Sequence, residues 1–141
     1  MWTTDGVSLI SFTNIVAVPV SKLPDLISKA KEAFNKSGLY TSIVSHALDG
    51  NFHGIILYDK STPGERRKAE ELVHQLVLDA IDMEGTCTGE HGVGMVKKDF
   101  LVAELGLETV ETMRRLKLAL DPLEILNPGT THLDIERVLT C

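Results

Sequence analysis

Two histidines, His46 and His53, flank the run Ala47-Leu48-Asp49-Gly50-Asn51-Phe52, and a third, His91, follows Glu90 inside Gly85-Thr86-Cys87-Thr88-Gly89-Glu90-His91-Gly92-Val93-Gly94. Imidazole nitrogens and a carboxylate oxygen make up the His-His-carboxylate type of divalent-metal centre, which leaves coordination positions open for water or substrate. A further imidazole beside such a centre can take or return a proton near neutral pH. Four glycines around Glu90 and His91 remove Cβ atoms and permit positive φ, so this backbone can approach a ligand closely and present the pair at a surface. A solvated turn carrying an ordinary Glu-His pair meets the same pattern.

The elements around the first two histidines bring them together. Leu39–Ala47 and Phe52–Tyr58 are short β-rich runs, and the Asp49-Gly50 pair between them is the favoured type I′ hairpin signal. With those two residues at the tip, opposite positions sum to 99 and His46 faces His53. Directly opposed residues place their Cβ atoms about 4.5–5.5 Å apart. That is close enough for one ion at about 2.0–2.1 Å from each ring. Glu90, at the end of a candidate strand over Thr86–Thr88, completes the ligand set His46, His53 and Glu90. A stacked histidine pair on a polar face, with Glu90 merely near, fits the same spacing.

The rest of the chain supplies the frame. Thr13–Val20 reads as the first strand, ending near Pro19. Ser21 as N-cap and Pro24 in the first turn start a helix whose apolar positions Leu23, Leu26, Ile27, Ala30, Ala33 and Phe34 run to Gly38. After Thr62-Pro63-Gly64, a second helix begins at Glu65 with a stripe of Ala69, Leu72, Val73, Leu76, Val77, Ala80 and Ile81. His74 lies off that stripe and reads as a solvated surface residue. The order over Thr13–Thr88 is β-α-β-β-α-β, an α+β, ferredoxin-like antiparallel sheet with two helices on one face. Helical segments over Phe100–Leu105 and Glu108–Leu120, stopped by Asp121-Pro122, form a C-terminal helical extension.

Composition limits the functional classes. With 43% hydrophobic and 24% charged residues in 141, the chain suits one folded domain. Its net charge of −6, without a basic aromatic stripe, argues against nucleic-acid binding. No apolar run approaches the roughly 20 residues of a membrane span, and the N-terminus carries no recognisable targeting segment. Cys87 and Cys141 form no metal-type motif or disulfide framework, and Cys87 reads as a small buried filler.

Ser45-His46-Ala47-Leu48-Asp49-Gly50-Asn51-Phe52-His53 resembles the G-H-V-G-D-G-N-F-H segment of the C-terminal domain of FAD-linked D-lactate dehydrogenases and their glycolate oxidase and D-2-hydroxyglutarate dehydrogenase relatives. Gly85–Gly94 resembles that family's G-T-C-T-G-E-H-G-I-G segment. Val18–Pro24 is similar to its V-P-I-S-R-L-P corner, and Met113–Gly129 to its closing M-R-x-L-K-x-x-L-D-P-x-x-I-L-N-P-G run. The resemblance implies oxidation of a D-2-hydroxy acid, D-lactate to pyruvate, by hydride transfer to FAD, with electrons passed to cytochrome c or another acceptor. It implies zinc or manganese on His46, His53 and Glu90, His91 as base, Asn127 near the flavin, and a mitochondrial location. An Asn before Pro is also a common turn residue.

The family's N-terminal FAD-binding domain has no counterpart in these residues, so the expectation is a substrate and metal domain, residues 1–141, of a longer flavoprotein, inactive alone. Gly6–Ile15, between Asp5 and Val16, reads as an insertion relative to the family or a gene-model artefact, and it leaves the start of the first strand open. Ala47-Leu48 and Val96 depart from the family pattern without removing a ligand. Ile55, apolar where the hydroxyglutarate enzymes carry a polar contact, favours a small substrate over a dicarboxylate. A non-catalytic ferredoxin-like module binding a metal or small ligand is the alternative class. A metal hydrolase is a third, lacking a recognisable nucleophile or leaving-group acid beyond His91.

Overall fold

The computed structural model describes Thr3–Thr4 and residues 7–130, with side chains from residue 9 onward. Its elements are β1 (Thr3–Thr4), β2 (Val7–Ala17), α1 (Leu23–Ser37), β3 (Tyr40–His46), β4 (Asn51–Asp59), α2 (Glu65–Asp82), α3 (Leu101–Leu105) and α4 (Leu107–Leu120). Two compact units divide the chain between Glu90 and His91. The expected α+β class is present, with an antiparallel sheet in the first unit and helices in the second.

Strand order is β1-β2-β4-β3, antiparallel throughout, with β4 central. Alternation of side chains gives β4 two different faces. Phe52, Gly54, Ile56 and Tyr58 are buried, whereas His53, Ile55 and Leu57 on the opposite face are only partly covered. α1 buries Leu23, Leu26, Ala30 and Phe34, and α2 buries Ala69, Val73, Leu76, Val77 and Ala80. A Cβ on Gly54 would stand 3.1 Å from Phe34 and 3.2 Å from Leu76. Both helices therefore cover the even-numbered face of β4, and Gly54 leaves room for their side chains to meet over the strand. The helix boundaries follow local signals: α1 carries Pro24 in its first turn and ends at Gly38, whose φ of 72° is left-handed.

Four expectations need correction. The first strand runs over Val7–Ala17 instead of Thr13–Val20: Val7–Phe12 extend its pairing with β4, while Val20–Lys22 coil into a short 3-10 turn ahead of α1. The segment read as an insertion is therefore largely strand. Ser21 does not cap α1, which has no side-chain cap. Asp49 and Gly50 are not the paired tip of the hairpin. His46 faces Asn51, and Val44 faces His53. Gly50 instead packs against the chain leaving β2, where a Cβ would lie 2.0 Å from the Val18 carbonyl oxygen, and its own carbonyl accepts from Val18 N–H at 3.0 Å. That tie lengthens the turn to Ala47–Gly50.

Finally, Thr86–Thr88 is no strand. Thr86 forms an isolated antiparallel bridge with Ala17, its N–H donating to the Ala17 carbonyl at 2.8 Å. β1 occupies the other end of the same edge by pairing with Val7 and Ser8. The fourth position of the ferredoxin-like sheet is thus shared by two short contacts.

In the second unit α3 and α4 are separated by Gly106, with Leu101 and Val110 buried. Among the described residues no helix is long and apolar enough to cross a membrane.

Candidate metal centre

His46 ends β3 and His53 lies third in β4, both on the sheet face away from α1 and α2. The two-residue difference between expected and observed register changes their spacing and leaves their facing intact, because side chains alternate with a period of two. They are diagonal neighbours, and their rings still meet edge to face with centroids 5.4 Å apart.

Glu90 reaches this face on a loop that glycines seat against the sheet. A Cβ on Gly85 would lie 2.3 Å from the Ala17 carbonyl oxygen and 2.6 Å from that of Ala80. One on Gly89 would lie 2.3 Å from Ile15 Cγ2 and 2.4 Å from Asn51 Oδ1. Ile15 and Asn51 are buried although α1 and α2 lie on the other side of the sheet. These two glycines serve approach to the protein's own sheet, whereas the sequence pattern suggested approach to a ligand. Gly92 and Gly94 have positive φ with nothing within 4 Å of a built Cβ. Cys87, between the seats, is fully buried, in keeping with a filler role.

The structure brings together the three residues chosen as ligands. One ligand atom from each of His46, His53 and Glu90 lies within 4.8 Å of the others. Two donors bound to one ion at about 2.0–2.2 Å are at most about 4.4 Å apart, so small side-chain movements close the set. His53 Nε2 stands 3.8 Å from Glu90 Oε1, beyond hydrogen-bond range. That nitrogen is buried without a hydrogen-bond partner among the described residues. A buried acceptor or donor left unpaired costs about 1–3 kcal/mol, and coordination of a cation would remove the deficit. The donor set of two imidazoles and one carboxylate fits a zinc- or manganese-type ion.

Sequence reasoning missed Asn51. Its Nδ2 donates to Glu90 Oε2 at 3.1 Å, linking β4 to the glycine loop. The available signal was parity: Asn51 precedes His53 by two positions on one strand and therefore shares its face.

His91 and Asn127 belong to the second unit. His91 is exposed. Asn127 is also exposed and adopts φ 47°, a left-handed conformation that Asn tolerates better than most residues. Its carbonyl accepts from the Thr130 hydroxyl at 2.9 Å. The loop before it is organised by Asp121, whose carboxylate accepts from the N–H groups of Ile125 and Leu126 at 3.1 and 3.0 Å and pairs with Lys117. The Lys117 hydrogen bond holds the Asp121 carboxyl below the ordinary aspartate range; the two N–H groups add to this and desolvation opposes it.

Comparison with known proteins assigns a lineage to this arrangement. The family model "FAD linked oxidases, C-terminal domain" matches residues 2–131. The mitochondrial D-lactate dehydrogenase [cytochrome] of Kluyveromyces lactis is 54% identical over 91% of this chain and 20% of its own length. That of Arabidopsis thaliana is 50% identical over 81% of this chain, again 20% of its length. Glycolate oxidase subunit GlcD of Escherichia coli is 34% identical over 79% of this chain and 22% of its own. The chain thus spans about a fifth of the curated relatives it matches. Among solved structures, 4-ethylphenol oxidase from Gulosibacter chungangensis in its isoeugenol complex superposes with a TM-score of 0.59, covering 90% of this chain and 25% of that one at 16% identity, a similarity of fold.

Proposed function

Because this chain belongs to the family of FAD-linked oxidase C-terminal domains, we propose that it is the substrate and metal domain of an enzyme oxidising a D-2-hydroxy acid, with D-lactate to pyruvate as the favoured reaction. The observation that carries the metal reading is the buried, unpartnered His53 Nε2 facing Glu90 beside His46. The names of the relatives support D-lactate, a cytochrome acceptor and a mitochondrial location. Ile55 shares a sheet face with His53 and is partly covered, which suits a small substrate better than a second carboxylate.

In this reading His46, His53 and Glu90 hold zinc or manganese, and a separate FAD-binding domain acts with this one. Such an ion, when bound, would supply Lewis acidity that lowers the pKa of the substrate's α-hydroxyl, and FAD on the separate domain would supply the hydride acceptor. His91 takes the hydroxyl proton as general base. Asn127 would be the residue of this chain nearest the flavin. Pyruvate forms when the C2–H electron pair departs and the O–H pair becomes the second C–O bond.

Two measurements test this. Calorimetric titration of the metal-stripped chain is expected to give one zinc or manganese per chain, lost on His53→Ala. With the FAD-binding domain supplied, His91→Ala is expected to lower D-lactate turnover about 10²–10⁴-fold while metal binding is retained. Unchanged turnover rules out the proposed base and favours a non-catalytic module, and a folded chain that binds no ion overturns the metal reading.

A further inference from the structure

We infer that Asn51 is the positioning residue of the metal centre: its side-chain amide fixes Glu90 so that one carboxylate oxygen is turned toward His53. The inference rests on the proposed metal reading of His46, His53 and Glu90. Glu90 needs such a support. Its side chain is 51% exposed on a loop, and a long acidic side chain in that setting loses rotamer entropy when it is confined.

Asn51 is a rigid post from which to confine it. It opens β4, pairs in the ladder with Ala17 on one side and His46 on the other, and is 7% exposed. The two oxygens of Glu90 divide their roles. Oε2 accepts from Asn51 Nδ2 at 3.1 Å, and Oε1 lies 3.8 Å from His53 Nε2. The same asparagine meets the preceding residue, since Gly89 has space for Asn51 Oδ1 only by lacking a Cβ. It therefore seats both the backbone and the side chain of the loop end.

A residue serving packing alone would be better apolar. Asn51 Oδ1 is buried with no hydrogen-bond partner among the described residues, and burying a polar atom in that way carries a desolvation cost. The Nδ2 donation to Glu90 is the interaction that an apolar side chain of equal volume could not replace. Asn51 is not placed as a ligand, because Nδ2 is committed to Glu90 and Oδ1 faces Gly89.

The test compares wild type with Asn51→Leu, similar in volume and without a donor, in the full 141-residue chain. Zinc affinity is read by chelator competition, and site geometry by the visible spectrum of the cobalt(II) form. Partners of metal ligands typically govern affinity by 10–100-fold. The expected result is a 10–100-fold weaker zinc affinity and an altered cobalt spectrum, with circular dichroism of the metal-free chain unchanged. If Asn51→Leu does not fold, Asn51→Ser, whose hydroxyl cannot span the gap to Glu90, carries the same expectation. A folded variant with affinity within two-fold of wild type and an unaltered spectrum overturns the inference and leaves the metal reading standing. A folded wild-type chain that binds neither ion overturns both.

Discussion

Two loops, one in each compact unit, carry residues singled out from the sequence, Glu90 and Asn127, and they are held by opposite means. Gly85–Glu90 is seated by missing atoms: Gly85 and Gly89 let the backbone press against Ala17, Ala80, Ile15 and Asn51. Asp121–Thr130 is held by charge, with a buried carboxylate gathering Lys117 and the N–H groups of Ile125 and Leu126. At Gly85 the first arrangement depends on shape, which no proton alters. The second can be released by a single proton.

The strongest way to break the first loop is Gly85→Ala. Its Cβ would meet two backbone carbonyl oxygens, at 2.3 and 2.6 Å, which cannot turn aside as a side chain can. A loss of about 3 kcal/mol, at the upper end of usual overpacking costs, is expected and is measurable by denaturant titration. A cost below about 0.5 kcal/mol, within the usual range for surface changes, would show that the glycine is not a seat. Gly89→Ala should cost less, about 1–2 kcal/mol, because the atoms it meets belong to the Ile15 and Asn51 side chains. Its more specific consequence is displacement of Asn51, so metal affinity should fall along with stability.

Acid sharpens the contrast at smaller amplitude. The folded Asp121 carboxyl titrates below its unfolded counterpart, so its contribution is complete above the ordinary aspartate value of about 4. The contribution declines as pH falls from there and is gone below the lowered folded value. Amide exchange at Ile125 and Leu126, corrected for intrinsic rates, should therefore accelerate in that acidic window, while exchange at Thr86, bonded to Ala17, keeps its protection. Equal behaviour of the two sites would erase the distinction.

Much of the frame was legible because periodicity survives small errors of position. Most of the apolar stripes of α1 and α2 is buried, with Ile27, Ala33, Leu72 and Ile81 partly covered at their margins, and the candidate ligands stayed on one face although the hairpin register moved by two residues. A one-residue error would have put His46 and His53 on opposite sides. The register itself was not legible. It depends on Gly50 packing against Val18, a contact between segments far apart in sequence, while the Asp-Gly signal describes only local turn preference. The reduced fourth strand was hidden for a similar reason. Gly85 and Gly89 looked like ligand-facing glycines until the positions of Ala17, Ala80 and Asn51 were known.

Asn51 and Glu90 are 39 positions apart, and all of α2 lies between them. An ion shared by the hairpin histidines and Glu90, as proposed, would close β4, that helix and the turns between them into a covalently open ring, and the metal would then act as a removable cross-link. Cross-links of this kind act partly by restricting the unfolded chain, with a benefit that grows slowly with the length enclosed. Under the proposed metal reading, the melting temperature of the chain should climb with free metal concentration in the manner of any ligand that binds only the folded state.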